Sequence, residues 1–379
     1  MKILFILHYP PPVHGSSIVG AFIKDSSFIN KNFECRYINL GTSESVNEIG
    51  KNPVGKLLKY LGLIWQVNKA LLCFRPDICY MTISSRGIGF YKDALLVLFV
   101  RLFGIKRVFH FHNKGVRINQ GRVLDNLLYW LVFKSADVIL LSKYLYPDVH
   151  KYVPENRVHY CPNGIPGVQV ESRKPKVESK SGEHSLAPPV APQILFLSHL
   201  IESKGVFVLI EALKIIKERG LPFHCTMVGG EGDVTEDQMR GKIEESGLTA
   251  YVDVAGKKYG DEKQIAFQRT DIFVHPTFND CLPLVLLEAM QHSLPIVSTP
   301  EGAIPDVVED GVSGFLVPQK DATTLADKLE VLIKDPDLRH KMGSAGRARY
   351  EAHFTLDRFE RRIVEILTQV AEKKTAGVR

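Results

Sequence analysis

The sequence has little of what marks several common protein classes. Its six cysteines, Cys35, Cys73, Cys79, Cys161, Cys225 and Cys281, include no C-x-x-C pair. In a chain of 379 residues this is too sparse for a disulfide framework, lacks the spacing of a zinc site and fits a reducing compartment. No apolar run reaches the roughly 18 residues that a membrane-spanning helix needs, and the nearest, 93–105, is broken by Arg101. The opening MKILFILHYPPP has no small-residue cleavage site before its prolines, so it reads as a buried first strand rather than a signal peptide. There is no short internal repeat. The only D-x-D, Asp335-Pro336-Asp337, lies in a helical tail and reads as a helix cap. Basic residues are not set along one recognition helix, which argues against nucleic acid as a partner.

What is present is a soluble, globular balance of 45% apolar, 24% charged and 9% aromatic residues. The length exceeds the roughly 250–300 residues at which one core stops growing, so two domains are expected. Charge is unevenly divided. Residues 1–170 hold 21 Lys+Arg against 10 Asp+Glu, leaving 27 against 32 in residues 171–379. A basic front half suits an anionic partner, such as a phosphate-bearing ligand or an acidic membrane face. A surplus of solvated lysines would give the same count. The expected location is cytoplasmic, peripheral at most on the inner face of the membrane.

Short apolar runs alternate with helical patterns. Strands are expected at 2–7, 36–40, 77–83, 107–112, 137–142 and 157–162, with helices near 16–29, 54–73, 90–103 and 121–134. Residues 171–192 are charged, serine-rich and proline-rich without periodicity, and read as a linker or exposed loop. Alternation then resumes, with strands at 193–198, 223–230, 251–256, 271–276 and 294–299 and helices near 204–218, 235–246, 260–268 and 283–291. The tail 321–371 reads as helix. The fold class is therefore α/β, two doubly wound domains facing across a cleft, with ligands beyond the carboxyl ends of the strands.

Four stretches sit at such ends. In FNDCLPLVLLEAMQ (278–291), a helix with Pro283 in its first turn would aim amides near Leu284 and Val285 at a phosphate. Asp280 just before it and Glu288 within it could touch different parts of one extended ligand, or simply cap the helix and form a surface ion pair. SHLIESKGV (198–206) puts Lys204 and Gly205 at a strand-to-helix turn, where a cation and a helix mouth can hold a diphosphate, although a solvated lysine is the ordinary case. HYPPPVHGSS (8–17) places Gly15 where backbone could approach a ligand or merely turn. HFHNKG (110–115) ends a strand with two histidines on one face, and no carboxylate at ligand spacing suggests a metal.

Together these segments resemble the retaining glycosyltransferases of family 4, of GT-B architecture, over nearly the whole chain and most strongly from about 193 to 355. The family's signature, an acid, seven residues, then Glu-Ala-Met, stands here as Asp280, CLPLVLL and Glu288-Ala289-Met290. CPNGI (161–165), LIESKGV (200–206), MVGGEG (227–232), DIFVHP (271–276), PIVST (295–299) and GVSGFLV (311–317) agree further.

The resemblance implies an acceptor-side domain over 1–170, a linker over 171–192, a nucleotide-sugar domain over 193–355, and a final segment 356–379 packing back on the first domain. It implies that Glu288 takes the ribose hydroxyls and Lys204 the diphosphate, helped by backbone at Leu282, Leu284 and Val285. Asp280 would meet the sugar. His112 matches the active-site histidine better than His110, and Gly15, His14 and Asn113 belong to the loops around the phosphates and acceptor. The partners implied are a nucleotide-sugar, taken as UDP-linked, and a glycan or lipid-linked glycan acceptor, with no cofactor and no metal. Three positions depart from the family pattern: His199 stands where an arginine is frequent, Asp280 replaces Glu, and His14-Gly15 replaces a glycine pair. They leave two other readings open, a sugar-nucleotide epimerase and a non-catalytic nucleotide-sugar binder.

Overall fold

A computed structural model describes residues 1–11, 13–41, 53–168 and 191–373, with backbone alone at 53, 54, 56 and 57. The linker expected at 171–192 therefore lies almost wholly outside the described residues. The chain divides into two compact units, residues 1–164 with 356–379, and residues 165–355.

In the first unit, strands β1 (Lys2–Leu7), β2 (Glu34–Asn39), β3 (Ile78–Met81), β4 (Lys106–Phe111), β5 (Asp137–Leu140) and β6 (Val158–Tyr160) form one sheet in the order β2-β1-β3-β4-β5-β6. All pairs are parallel, with Ile6 opposite Met81 and Phe109 opposite Val138. Ile3 to Leu7 are wholly buried, as a parallel strand covered on both faces must be. Strands β3 and β5 are buried throughout for the same reason.

The helix Gly15–Asp25 starts at His14, whose ring Nδ1 accepts from the Ser17 amide at 3.3 Å while the Ser17 hydroxyl accepts from the His14 amide at 2.9 Å. A Cβ at Gly20 would lie 1.9 Å from the His8 carbonyl oxygen, so this is the glycine that lets helix and strand end approach. At Gly15 a Cβ would meet nothing within 4 Å.

The last helix, Leu356–Glu372, belongs to this unit. It buries Phe359, Ile363, Ile366, Leu367 and Val370 along one stripe, the spacing of an amphipathic helix. Lys106 caps it, donating to the carbonyls of Val370 at 3.0 Å and Ala371 at 2.6 Å, where a cation meets the negative end of the helix dipole.

In the second unit, β7 (Gln193–Leu197), β8 (His224–Val228), β9 (Val252–Val254), β10 (Ile272–His275), β11 (Ile296–Ser298) and β12 (Gly314–Leu316) are again parallel, ordered β12-β11-β10-β7-β8-β9. Sequence periodicity misses β12, because three residues inside a turn-rich stretch give no period to read. The core holds Phe196, Leu213, Met227, Val274 and Leu329, each such apolar side chain contributing about 2 kcal/mol by burial. The helix-cap reading of the D-x-D is what the backbone shows: Asp335 accepts from the Leu338 amide at 2.8 Å and starts the helix Pro336–His353. The ends of this unit meet, with the Ile165 amide bonded to the Phe354 carbonyl at 3.0 Å.

Candidate functional site

The strand order of the second unit reverses direction between β7 and β10, the point at which a doubly wound sheet opens a crevice. After β7 the chain makes a tight turn at Glu202–Lys204 and enters the helix Val206–Glu218 through Gly205, at φ +82°. A Cβ there would lie 2.1 Å from the Pro276 carbonyl oxygen, so only glycine lets the turn after β7 pack on the end of β10. The Ser203 carbonyl then accepts from the Phe278 amide at 2.8 Å and the Thr277 hydroxyl at 3.0 Å, locking the two loops together.

This locking brings Lys204 and Asp280 into contact. Lys204 Nζ lies 2.5 Å from Asp280 Oδ2 and 3.3 Å from the Asn279 carbonyl oxygen. Asp280 Oδ2 also faces His275 Nε2 at 3.4 Å, and Oδ1 accepts from the Cys281 amide at 3.1 Å. Burial pushes the Asp280 carboxyl up, but the His275 bond and the Lys204 ammonium outweigh it and hold the group below its ordinary range. Asp280 is thus an anion fixed on several sides, and its side chain does not cap the following helix. His275, at the end of β10, is wholly buried, and burial lowers its ring's proton affinity.

Glu301 props the same loop from β11. Its Oε1 accepts from the Asp280 amide at 3.1 Å and its Oε2 from Gln319 Nε2 at 2.7 Å. A Cβ on the next residue, Gly302, would lie 2.5 Å from the carbonyl oxygens of both Asp280 and Cys281.

The helix Leu284–Gln291 follows, one residue later than the sequence suggests, with Pro283 as an N-cap that offers no side-chain bond. The amides of Leu284 and Val285 are therefore in an uncapped first turn, beside the buried Leu282. One turn on, Glu288 Oε1 bonds Lys263 Nζ at 2.6 Å, while Oε2 is buried with no hydrogen-bond partner. Burial pushes this carboxyl up, partly countered by Lys263. It is neither a surface ion pair nor a satisfied one.

His199 is exposed after β7, its ring held below the ordinary range by burial and by Lys257 and Lys204. Lys257 crosses Gly230, where a Cβ would lie 2.0 Å from its Cε.

In the first unit, His110 and His112 stand at the end of β4 with ring centroids 4.2 Å apart. His110 Nδ1 meets the Tyr80 hydroxyl at 2.5 Å. His110 is fully buried, whereas His112 is half-buried, and Nε2 of each ring is buried without a partner. The His14 ring lies 6.0 Å from that of His8, at the end of β1. Burial, then the neighbouring His8 and His14, pushes His112 down to about 3, and burial followed by His14 pushes His8 down to about 4. These imidazoles are neutral near pH 7. Asn113 is committed to structure, accepting from the Ser85 amide at 2.7 Å and donating to the Ile83 carbonyl at 3.3 Å.

Sequence reasoning missed His8, Gly20, Lys257, Lys263, His275 and Glu301. The position of His275 at a strand's carboxyl end was readable. Lys263 and Glu301 come from other elements, and no spacing in the sequence links them to the acids they touch.

Residues 180–349 match the model of the family described as glycosyl transferases group 1. An Escherichia coli protein named as a colanic acid biosynthesis glycosyltransferase is 27% identical over 305 residues, 78% of this chain and 71% of that one. The amylovoran biosynthesis glycosyltransferase of Erwinia amylovora is 34% identical over 185 residues, 47% of this chain and 45% of its own, so the chain spans under half of that relative. Among solved structures, HepE of Anabaena in complex with UDP-glucose has a TM-score of 0.70 at 18% identity, covering 97% of this chain and 100% of that one. The structural likeness shows the fold, two doubly wound units of the GT-B type.

Proposed function

We propose, from the premise that residues 180–349 of this GT-B chain belong to the glycosyl transferases of group 1, that it moves a sugar from a UDP-sugar to a glycan or lipid-linked glycan in cell-surface polysaccharide synthesis. The relatives' names support the polysaccharide, and the UDP-glucose bound by a protein of the same fold supports the donor. The observation that carries the reading is Glu288. A buried carboxylate oxygen with no donor is costly, and the adjacent hydroxyls of a ribose are donors of the right kind.

The diphosphate would then lie toward the uncapped amides of Leu284 and Val285 and the Lys204 ammonium, with Lys257 and His199 beside it. Lys204 already neutralises Asp280, so an arriving phosphate shares that cation, and Asp280 is left facing the sugar. As the bond between the anomeric carbon and the phosphate oxygen breaks, its electron pair leaves with the diphosphate. The acceptor hydroxyl bonds that carbon on the same face, giving retention, and its proton passes to the departing phosphate. Positioning and charge stabilisation supply the rate, and no metal ion is assigned a part. In the first unit, His112 is assigned to the reacting sugar or the acceptor, because it is neutral and has a free ring nitrogen.

A thermal-shift panel of UDP-, GDP- and ADP-sugars tests the donor, since a ligand of the folded state raises the melting temperature. UDP-sugars should stabilise the parent protein and fail to stabilise Glu288→Ala. Equal shifts in parent and variant would remove Glu288 from the donor site.

A further inference from the structure

We propose that one helix layer of the first unit docks on an anionic lipid bilayer. The helices Pro53–Lys69, Gly87–Leu102 and Val123–Phe133 follow β2, β3 and β4, and right-handed crossovers put all three on one face of the sheet. Bonds join them side by side. The Tyr60 hydroxyl donates to the Lys92 carbonyl at 2.7 Å, and Arg101 Nη1 to the Leu131 carbonyl at 3.0 Å.

Each helix turns an apolar stripe outward at helical spacing. On the first, Leu58, Leu61 and Trp65 are exposed; on the second, Ile88, Tyr91, Leu95 and Leu102; on the third, Val123, Leu127 and Trp130. Single exposed hydrophobes are ordinary, but three adjoining stripes mark a contact surface.

Charge identifies the occupant. Only two acids occur on the three helices, Asp93 and Asp125, and they are buried at 6% and 1% exposure. The cations Lys69, Lys92 and Arg101, with Lys134 just beyond, therefore have no exposed acid beside them on these helices. A second copy docking on this face would set cation against cation, whereas anionic headgroups answer it.

The chain's two tryptophans both lie here, 63% and 52% exposed. Each has a lysine one turn on over its ring, Lys69 over Trp65 at 5.0 Å and Lys134 over Trp130 at 4.8 Å. Tryptophan beside lysine suits the depth where acyl chain gives way to headgroup. Among the described residues no helix is long and apolar enough to cross a membrane, so the layer lies on the surface.

Because both tryptophans sit on this face, intrinsic emission reports on it alone. The full chain is titrated with phosphatidylcholine vesicles, and with the same vesicles carrying phosphatidylglycerol. The expected result is a blue shift and co-sedimentation with the anionic vesicles, weakening as salt is added. Lys134→Glu changes two charge units at about 1 kcal/mol each, so partitioning should fall about thirtyfold. Leu127→Glu should abolish the blue shift. Both variants should keep the parent's melting temperature and its UDP-sugar thermal shift, which separates this proposal from the donor reading. Emission unchanged by either vesicle would overturn it, as would Lys134→Glu or Leu127→Glu binding like the parent. A blue shift driven by protein concentration alone would also overturn it and make the face a contact between copies.

Discussion

The two six-stranded sheets match in size and direction and differ in what stands at their carboxyl ends. In the second unit, ion pairs dominate: Lys204 with Asp280, and Lys263 with Glu288. The first unit gathers histidines that burial keeps neutral. The outer surfaces differ as well. Among the described residues, Tyr259, Ile265, Val312 and Val331 are the exposed large apolar side chains of the second unit, and all the others belong to the first. One unit is thus equipped to handle charge in its ligand. The other offers neutral hydrogen-bonding groups and a greasy, cationic exterior.

The largest effect should come from the charged side of this comparison. Lys204→Ala removes the cation expected to stabilise the leaving group and should lower the transfer rate about 10²- to 10³-fold, as followed by UDP release with acceptor present. A smaller loss would mean that Lys257 or the helix mouth carries the charge. Next, Glu288→Ala should weaken UDP-sugar binding roughly 10- to 100-fold, the range for a hydrogen bond to a charged group, measured by calorimetry. The isosteric Glu288→Gln removes a carboxylate that burial disfavours. It should raise the melting temperature of the ligand-free protein, by an amount that shrinks as falling pH protonates the parent carboxyl.

Two glycine substitutions should each cost about 1–3 kcal/mol by overpacking. Gly20→Ala strikes the His8 carbonyl and Gly205→Ala the Pro276 carbonyl. Gly205 also sits at positive φ, which adds strain for any L side chain. Denaturant unfolding should place Gly205→Ala below Gly20→Ala, and Gly15→Ala near the parent.

The smallest effect is the acid response of the neutral side. His8 and His112 bind protons in the unfolded chain near pH 6.5 but in the folded one only near about 4 and about 3. Their contribution is intact above that unfolded value and is lost as pH falls toward the folded ones. At pH 5 the loss is about 2 kcal/mol for each. His8→Asn should flatten the acid limb of the first unit's unfolding and leave that of the second unchanged. Equal flattening in both would break the distinction.

Much of this contrast can be read along the chain, because parallel strands buried on both faces are continuous apolar runs and their helices carry a clear period. Lys204 and Asp280 could be singled out because each follows a strand end closely, and Glu288 because of its spacing from Asp280. The pairing of Lys204 with Asp280 could not, since it depends on Gly205 fitting under Pro276. Lys263 was equally invisible: its helix gives no sign of which carboxylate it faces. Asn113 shows the reverse error, for a polar residue beside two histidines looks functional until its amide is found holding Ser85 and Ile83. The stripes on the first unit's helices were hidden because outward and inward apolar residues read alike until the sheet shows which side it covers.

The return of the chain to its first unit through Leu356–Glu372 sets an order of events during synthesis. A ribosome must deliver the whole of residues 165–355 before it makes Phe359, Ile363, Leu367 and Val370, which the finished first unit keeps from water. Phe359 is also the ring stacked at 6.3 Å from His110, so the backing of the histidine site arrives among the last turns translated. The nascent first unit therefore waits with an uncovered seam while the second, whose ends already bond to each other, can close behind it.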